Sequence, residues 1–126
     1  MLQAAAALSA DPRVLAVYGF GSVAMGATHP GSDLDLAVLL DRPLSLREEL
    51  SLRAEAVDAV HRDDVDLVIL NLAPPLLRYE VIAAGSRLYA RSSLAVDQFE
   101  EAALREYLDT AHLRRVQQDL ARQAIG

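Results

Sequence analysis

The stretch Gly21-Ser22-Val23-Ala24-Met25-Gly26-Ala27-Thr28-His29-Pro30-Gly31-Ser32-Asp33-Leu34-Asp35-Leu36 restricts the possible folds of this chain more than any other. A turn of small residues leads into two carboxylates spaced one residue apart, with apolar runs at Val14 to Tyr18 before it and Leu36 to Leu40 after it. In a strand, residues i and i+2 share a face. Asp33 and Asp35 are therefore predicted to project side by side, with Leu34 and Leu36 turned into a core. Two carboxylates that close repel each other unless a cation or a proton lies between them. Oxygen-rich sites of this kind suit Mg²⁺, which takes a few carboxylates together with substrate phosphates.

Around this stretch the pattern is that of an α/β chain. Leu2 to Ala10 is alanine-rich and predicts a short helix, stopped by Asp11-Pro12 because the residue before proline leaves the helical region. Val14 to Tyr18, Asp33 to Leu40 and Val65 to Leu70 predict three strands, and Arg87 to Ala90 a short fourth at a sheet edge. Ser45-Leu46-Arg47-Glu48 has the form of a capping box, so a helix should start near Ser45. Leu46, Leu50, Ala54, Val57 and Val60 or His61 give that helix an apolar stripe at helical spacing. Pro74-Pro75 suits the first turn of another helix, for which Gly85 is a good C′ residue. From about Leu94 the chain reads as one long helix or a broken pair, along the stripe Val96, Phe99, Ala103, Tyr107, Ala111, Val116 and Leu120. The expected architecture is a small mixed β-sheet with flanking helices, mainly on one face, and the site at one sheet edge. Residues 1–126 are expected to form one domain, with a core at about 14–91 and a C-terminal helical segment at about 94–124.

Composition narrows the class. A chain of 126 residues can bury one real core. No apolar run is long enough to span a bilayer, and no signal peptide is legible, so a cytoplasmic protein is expected. There is no cysteine, hence no disulfide and no thiolate zinc site. A net charge of −6 argues against a broad nucleic-acid surface. All twelve basic residues are arginine, so no lysine-dependent phosphate loop is available.

Taken singly, each polar feature has an ordinary explanation. Gly21-Ser22 is a common turn, and Asp33-x-Asp35 also occurs as a cap or loop motif. Asp63 and Asp64 read as exposed turn residues, and His61 as the end of a helix. Asp66 is harder to dismiss, because an unpaired carboxylate inside an apolar strand is costly to bury. If its strand neighbours that of Asp33 and Asp35, the three acids converge. Such a trio suits two divalent ions and a nucleoside triphosphate. Gly21 and Ser22 would offer backbone N–H groups and a hydroxyl to phosphate at a helix N-terminus.

Gly21-Ser22, the run Asp33-Leu34-Asp35-Leu36-Ala37-Val38 ten residues later, and Asp66 on a later strand resemble the nucleotidyltransferase superfamily of DNA polymerase beta. The short length, with Ala73-Pro74-Pro75-Leu76-Leu77-Arg78-Tyr79-Glu80-Val81-Ile82 followed by Gly85 and Leu88-Tyr89, resembles its minimal branch, the MNT proteins. That resemblance covers about Val14 to Arg91. It implies the polymerase beta-like fold and an antitoxin that works on a HEPN-domain RNase toxin, transferring AMP from ATP to a tyrosine hydroxyl. It further implies that Asp33 and Asp35 bind both Mg²⁺ ions, that Asp66 completes one metal site and helps deprotonate the acceptor, and that Gly21 and Ser22 hold the β- and γ-phosphates. One position departs: Met25 stands where the family often has an arginine able to contact phosphate. The rival readings are a nucleotidyltransferase acting on a small molecule such as an aminoglycoside, and a domain that neutralises its partner by binding alone.

The remaining polar and aromatic residues are expected to be structural. His29 reads as a solvated loop residue, and Ser32 as orienting strand entry through local hydrogen bonds. His112 has no metal-ligand partner at useful spacing. Arg78 and Arg87 are expected in ion pairs rather than on phosphate, and Tyr79, Tyr89 and Tyr107 in packing. The C-terminal helix has more apolar residues than the edge of a thin domain needs. It either packs on the sheet or offers a surface to a partner helix or a second copy of the chain.

Overall fold

A computed structural model of the chain describes residues 2–20, 34–60 and 65–125. Its elements are α1 (Leu2–Ser9), β1 (Val14–Phe20), β2 (Leu34–Leu40), α2 (Leu46–Val60), β3 (Val65–Ile69), α3 (Pro75–Ala84), β4 (Ser86–Ala90), α4 (Ser93–Asp109) and α5 (Ala111–Ile125). The four strands form one mixed sheet in the order β3-β2-β1-β4. β1 pairs antiparallel with β2 and with β4, while β2 and β3 are parallel. A parallel pair needs a crossover, and α2 supplies it.

Helices cover both faces of the sheet, where the sequence had suggested mainly one. On one face Leu36, Val38 and Leu40 of β2 pack with Ala4, Ala5 and Leu8 of α1 and with Leu52 and Ala56 of α2. On the other, Ala37 and Leu39 of β2 and Tyr18 of β1 pack with Val81 of α3 and Val96 of α4. The reason lies in β2 itself. An inner strand that is apolar at every position from Leu36 to Leu40 has two faces to keep dry, not one.

The capping box at the start of α2 forms as expected. The Glu48 N–H donates to Ser45 Oγ at 3.2 Å, and the Ser45 N–H donates to Glu48 Oε1 at 3.1 Å. The buried face of that helix differs from the expected stripe. Leu46 and Leu50 are 71% and 58% exposed, whereas Leu52 and Ala56 are fully buried. Small residues decide the rotation: Ala56 allows close approach to the alanines of α1. Arg53, beside them, donates from Nη1 to the Leu67 carbonyl of edge strand β3.

Pro75 opens α3, and Gly85 ends it with its N–H donating to the Val81 carbonyl at 2.8 Å. Gly85 is not left-handed; its φ of −85° and ψ of 174° suit any residue. Space is what requires glycine. A Cβ there would lie 2.4 Å from the Val81 carbonyl oxygen and 2.8 Å from that of Gly19. The C-terminal segment is a broken pair of helices, divided at Thr110.

Candidate functional site

Asp35 is the second residue of β2 and Asp66 the second of β3, and the parallel register makes them Cα partners. Alternation puts both on the face of Ala37, Leu39 and Leu70, the face covered further along by α3 and α4. Neighbouring strands lie about 4.8 Å apart, so the two carboxylates stand side by side. Phe20, the last residue of β1, is the antiparallel partner of Asp35. Across one end of the sheet the row is therefore Asp66, Asp35, Phe20.

Asp35 is half-buried, whereas Asp66 is exposed. The sequence argument for Asp66 rested on burial inside an apolar strand, and the structure corrects it. β3 is an edge strand, and its apolar positions Leu67 and Ile69 face α1 and α2 while Asp66 faces the other way. What singles out Asp66 is its register beside Asp35, not a desolvation cost.

Gly21, Ser22, Met25, His29, Ser32 and Asp33 lie outside the described residues, as do His61, Arg62, Asp63 and Asp64. Among the described residues no group of three or more His, Cys, Asp or Glu side chains forms a metal cluster. Two carboxylates on adjacent strands are nonetheless a hard oxygen donor pair of the kind Mg²⁺ takes, with the rest of its shell left to water and phosphate. The residues present fit that ion.

The arginines weighed as phosphate contacts serve the scaffold. Arg78 donates to the carbonyls of Leu70 and Asn71, each at 2.8 Å, and pairs with Glu106 at 3.3 Å. Arg87 pairs with Asp97 at 2.8 Å and Glu100 at 2.6 Å. The Tyr18 hydroxyl donates to Glu100 at 2.8 Å, and burial pushes its pKa up, with the nearby carboxylate adding to the shift. Tyr79 stacks on Tyr107 at 3.8 Å between centroids. His112 is exposed on α5.

Sequence reasoning missed a second charged region at the opposite end of β1. Asp11 is buried and paired with Arg13, which also reaches Glu48 at 3.4 Å; Arg42 joins Glu48 at 2.9 Å. The Arg13 guanidinium holds Asp11 below the usual carboxylate range, and Arg42 together with the Ser45 N–H lowers Glu48 to about 2. Glu55 moves the other way, raised by burial and then by the charge of Asp11. Asp11, Arg13, Arg42 and Glu55 line a concavity of about 560 Å³. The legible signal was Asp11-Pro12-Arg13, a turn whose acid accepts from the Arg13 backbone N–H at 3.0 Å. The long-range arm to Glu48 had no local signature.

Comparison with known proteins places this geometry. The chain is 38% identical to the protein adenylyltransferase MntA of Shewanella oneidensis over 81 residues, which span 62% of this chain and 55% of that protein. Its fold matches a chain of a toxin–antitoxin crystal structure with AMP-PNP at a TM-score of 0.79 and 26% identity, over 99% of this chain and 98% of that one. It also matches a chain of the MntA–HepT toxin–antitoxin structure at a TM-score of 0.64 and 26% identity, over 91% of this chain and 86% of that one. The profile of the polymerase beta nucleotidyltransferase family matches residues 3–94, most of the chain. With that match, and with Asp35 and Asp66 abreast at the end of a mixed sheet, the chain belongs to the polymerase beta nucleotidyltransferase family.

Proposed function

We propose that this chain is a Mg²⁺-dependent adenylyltransferase antitoxin that transfers AMP from ATP to a tyrosine hydroxyl of a HEPN-type RNase toxin. The observation that carries the reading is the pairing of Asp35 with Asp66 on one face of the sheet. The similarity to a curated adenylyltransferase and to a chain crystallised in a toxin–antitoxin complex with AMP-PNP supports it.

In this mechanism Asp33, Asp35 and Asp66 hold two Mg²⁺ ions. When bound, these ions screen the triphosphate and stabilise charge on the departing pyrophosphate. Gly21 and Ser22 bind the β- and γ-phosphates through backbone N–H groups and a hydroxyl. The acceptor oxygen forms a bond to the α-phosphorus as the bond to the β-phosphate bridging oxygen breaks, and the acceptor proton passes toward Asp66. Strands β2 and β3 carry Asp35 and Asp66, so most of the catalytic effect is positioning and charge stabilisation.

Incubation with labelled ATP, Mg²⁺ and a HEPN-type RNase toxin tests the reading. Label is expected on the partner's tyrosine, and is expected to vanish with Asp33→Asn plus Asp35→Asn. Neutralisation of the partner that survives those changes undiminished overturns the enzymatic reading and leaves an inhibitor that acts by binding.

A further inference from the structure

β3 is an edge of the sheet, so β2 supports it on one side only. The N–H of Leu70, just past the strand, donates to the Val38 carbonyl at 2.9 Å. Backbone groups alternate along a strand, so Asp66 and Val68 turn theirs to β2 while Leu67 turns its own to the open edge. Asp66, the exposed member of the acid pair, thus sits on a strand whose outer side has no strand partner.

The two ends of β3 are fastened differently. Past the far end, Asn71 Nδ2 donates to the Leu40 carbonyl and Asn71 Oδ1 accepts from the Leu40 N–H, each at 2.9 Å. Near the site the fastening comes from α2. Arg53 Nη1 donates to the Leu67 carbonyl, one residue past Asp66. Arg53 Nε and Nη2 donate to Glu49 Oε1 at 3.3 Å and 2.9 Å. Glu49 lies one helical turn earlier, at the i, i+4 spacing that suits such a pair. It holds the flat guanidinium so that the remaining nitrogen aims at the edge carbonyl. Lysine has one nitrogen on a flexible stem and cannot hold both partners in this way. α2 packs on the face of Leu67 and Ile69, whereas Asp66 faces the other way. Arg53 therefore acts on Asp66 through the strand between them.

The chemistry at Asp66 depends on where that strand lies. Mg²⁺ demands near-ideal placement of its oxygen ligands. Groups that orient such ligands change metal affinity about ten- to a hundredfold when removed. Building on the proposed function, we infer that Arg53 is a positioning residue for the metal site: it fastens the open edge of β3 at Leu67 and so holds Asp66 abreast of Asp35. Glu49 is its orienting partner. The site then depends on an ion pair on the opposite face of the sheet.

Mn²⁺ binding tests this, followed by its spin resonance in the presence of a non-hydrolysable ATP analogue, in the full chain. Arg53→Ala is expected to weaken Mn²⁺ binding about tenfold. Arg53→Lys, able to reach the carbonyl but not to hold both partners, should fall between it and the wild type, as should Glu49→Ala. In transfer assays the Mg²⁺ concentration for half-maximal rate should rise and kcat fall, with KM for the acceptor unchanged. Asn71→Ala supplies the structural comparison: it should lower the urea midpoint and leave Mn²⁺ affinity alone. Asp66→Asn should itself weaken Mn²⁺ binding, and adding Arg53→Ala should weaken it no further. Wild-type Mn²⁺ affinity in all three Arg53 and Glu49 variants overturns the inference, as does an equal loss in Asn71→Ala or full additivity with Asp66→Asn. A wild-type protein that binds no Mn²⁺ removes this inference and the metal-dependent reading together. One that binds Mn²⁺ through the Arg53-dependent site but transfers no AMP removes the enzymatic reading alone.

Discussion

The two ends of β1 carry carboxylates in opposite circumstances. At its start, Asp11 and Glu48 are held by Arg13 and Arg42, acids matched to cations of the same chain. At its finish, six residues and about 20 Å away by strand rise, Asp35 stands beside Asp66, and among the described residues no arginine pairs with Asp66. A carboxylate tied to an internal arginine is a structural device. Its charge is spent within the fold, and its pKa falls. Carboxylates set next to each other oppose folding and are suited to a cation from solution. The first end stabilises the domain; in the proposed function the second would hold an ion.

Asp33→Asn plus Asp35→Asn should separate the ends most sharply. AMP transfer is expected to fall at least about a thousandfold, while the urea midpoint without Mg²⁺ holds. A lower midpoint would mean that the site stabilises the fold, and the contrast would break. Gly85→Ala comes next. Its new methyl would meet the Val81 and Gly19 carbonyls, next to Phe20 and so to Asp35. A loss of about 3 kcal/mol in urea unfolding is expected, with a parallel loss of transfer.

Arg13→Ala should do the reverse of the acid changes. It leaves Asp11 buried without its guanidinium, a cost of about 2 kcal/mol at pH 7, with kcat for transfer unchanged. The pH dependence gives the sign. Asp11 and Glu48 have lowered pKa values in the fold, so their stabilisation is complete above the ordinary carboxylate pKa. It is lost as pH falls, for Glu48 between 4.5 and about 2. Arg13→Ala should therefore flatten the acid limb of a stability profile. Glu55→Gln is the smallest effect. The raised pKa of Glu55 means that its ionisation costs stability as pH rises through that value. The variant should gain about 0.5 kcal/mol at pH 7 and nothing at pH 3, read from thermal midpoints at both.

Local signals carried much of the fold. The apolar runs located the strands, Ser45-x-x-Glu48 located the start of α2, and Pro74-Pro75 and Gly85 bracketed α3, because each acts within a few residues of itself. The Asp-x-Asp spacing carried the resemblance that led to the family the chain belongs to. What depends on contacts distant in sequence was decided only in three dimensions. The rotation of α2 put Leu52 and Ala56 against α1 and the sheet, so Leu46 and Leu50 faced outward. The glycine at 85 was required by the Val81 carbonyl four residues back and by the Gly19 carbonyl sixty-six residues away, and not by its own φ. The Asp11–Arg13–Glu48 pairing and the exposure of Asp66 followed from which strand lies at the sheet edge and which helix crosses it. Sequence periodicity states that a face is apolar. Whether that face meets a core, a neighbouring helix or water depends on the arrangement of the whole chain, and in α5 it meets water.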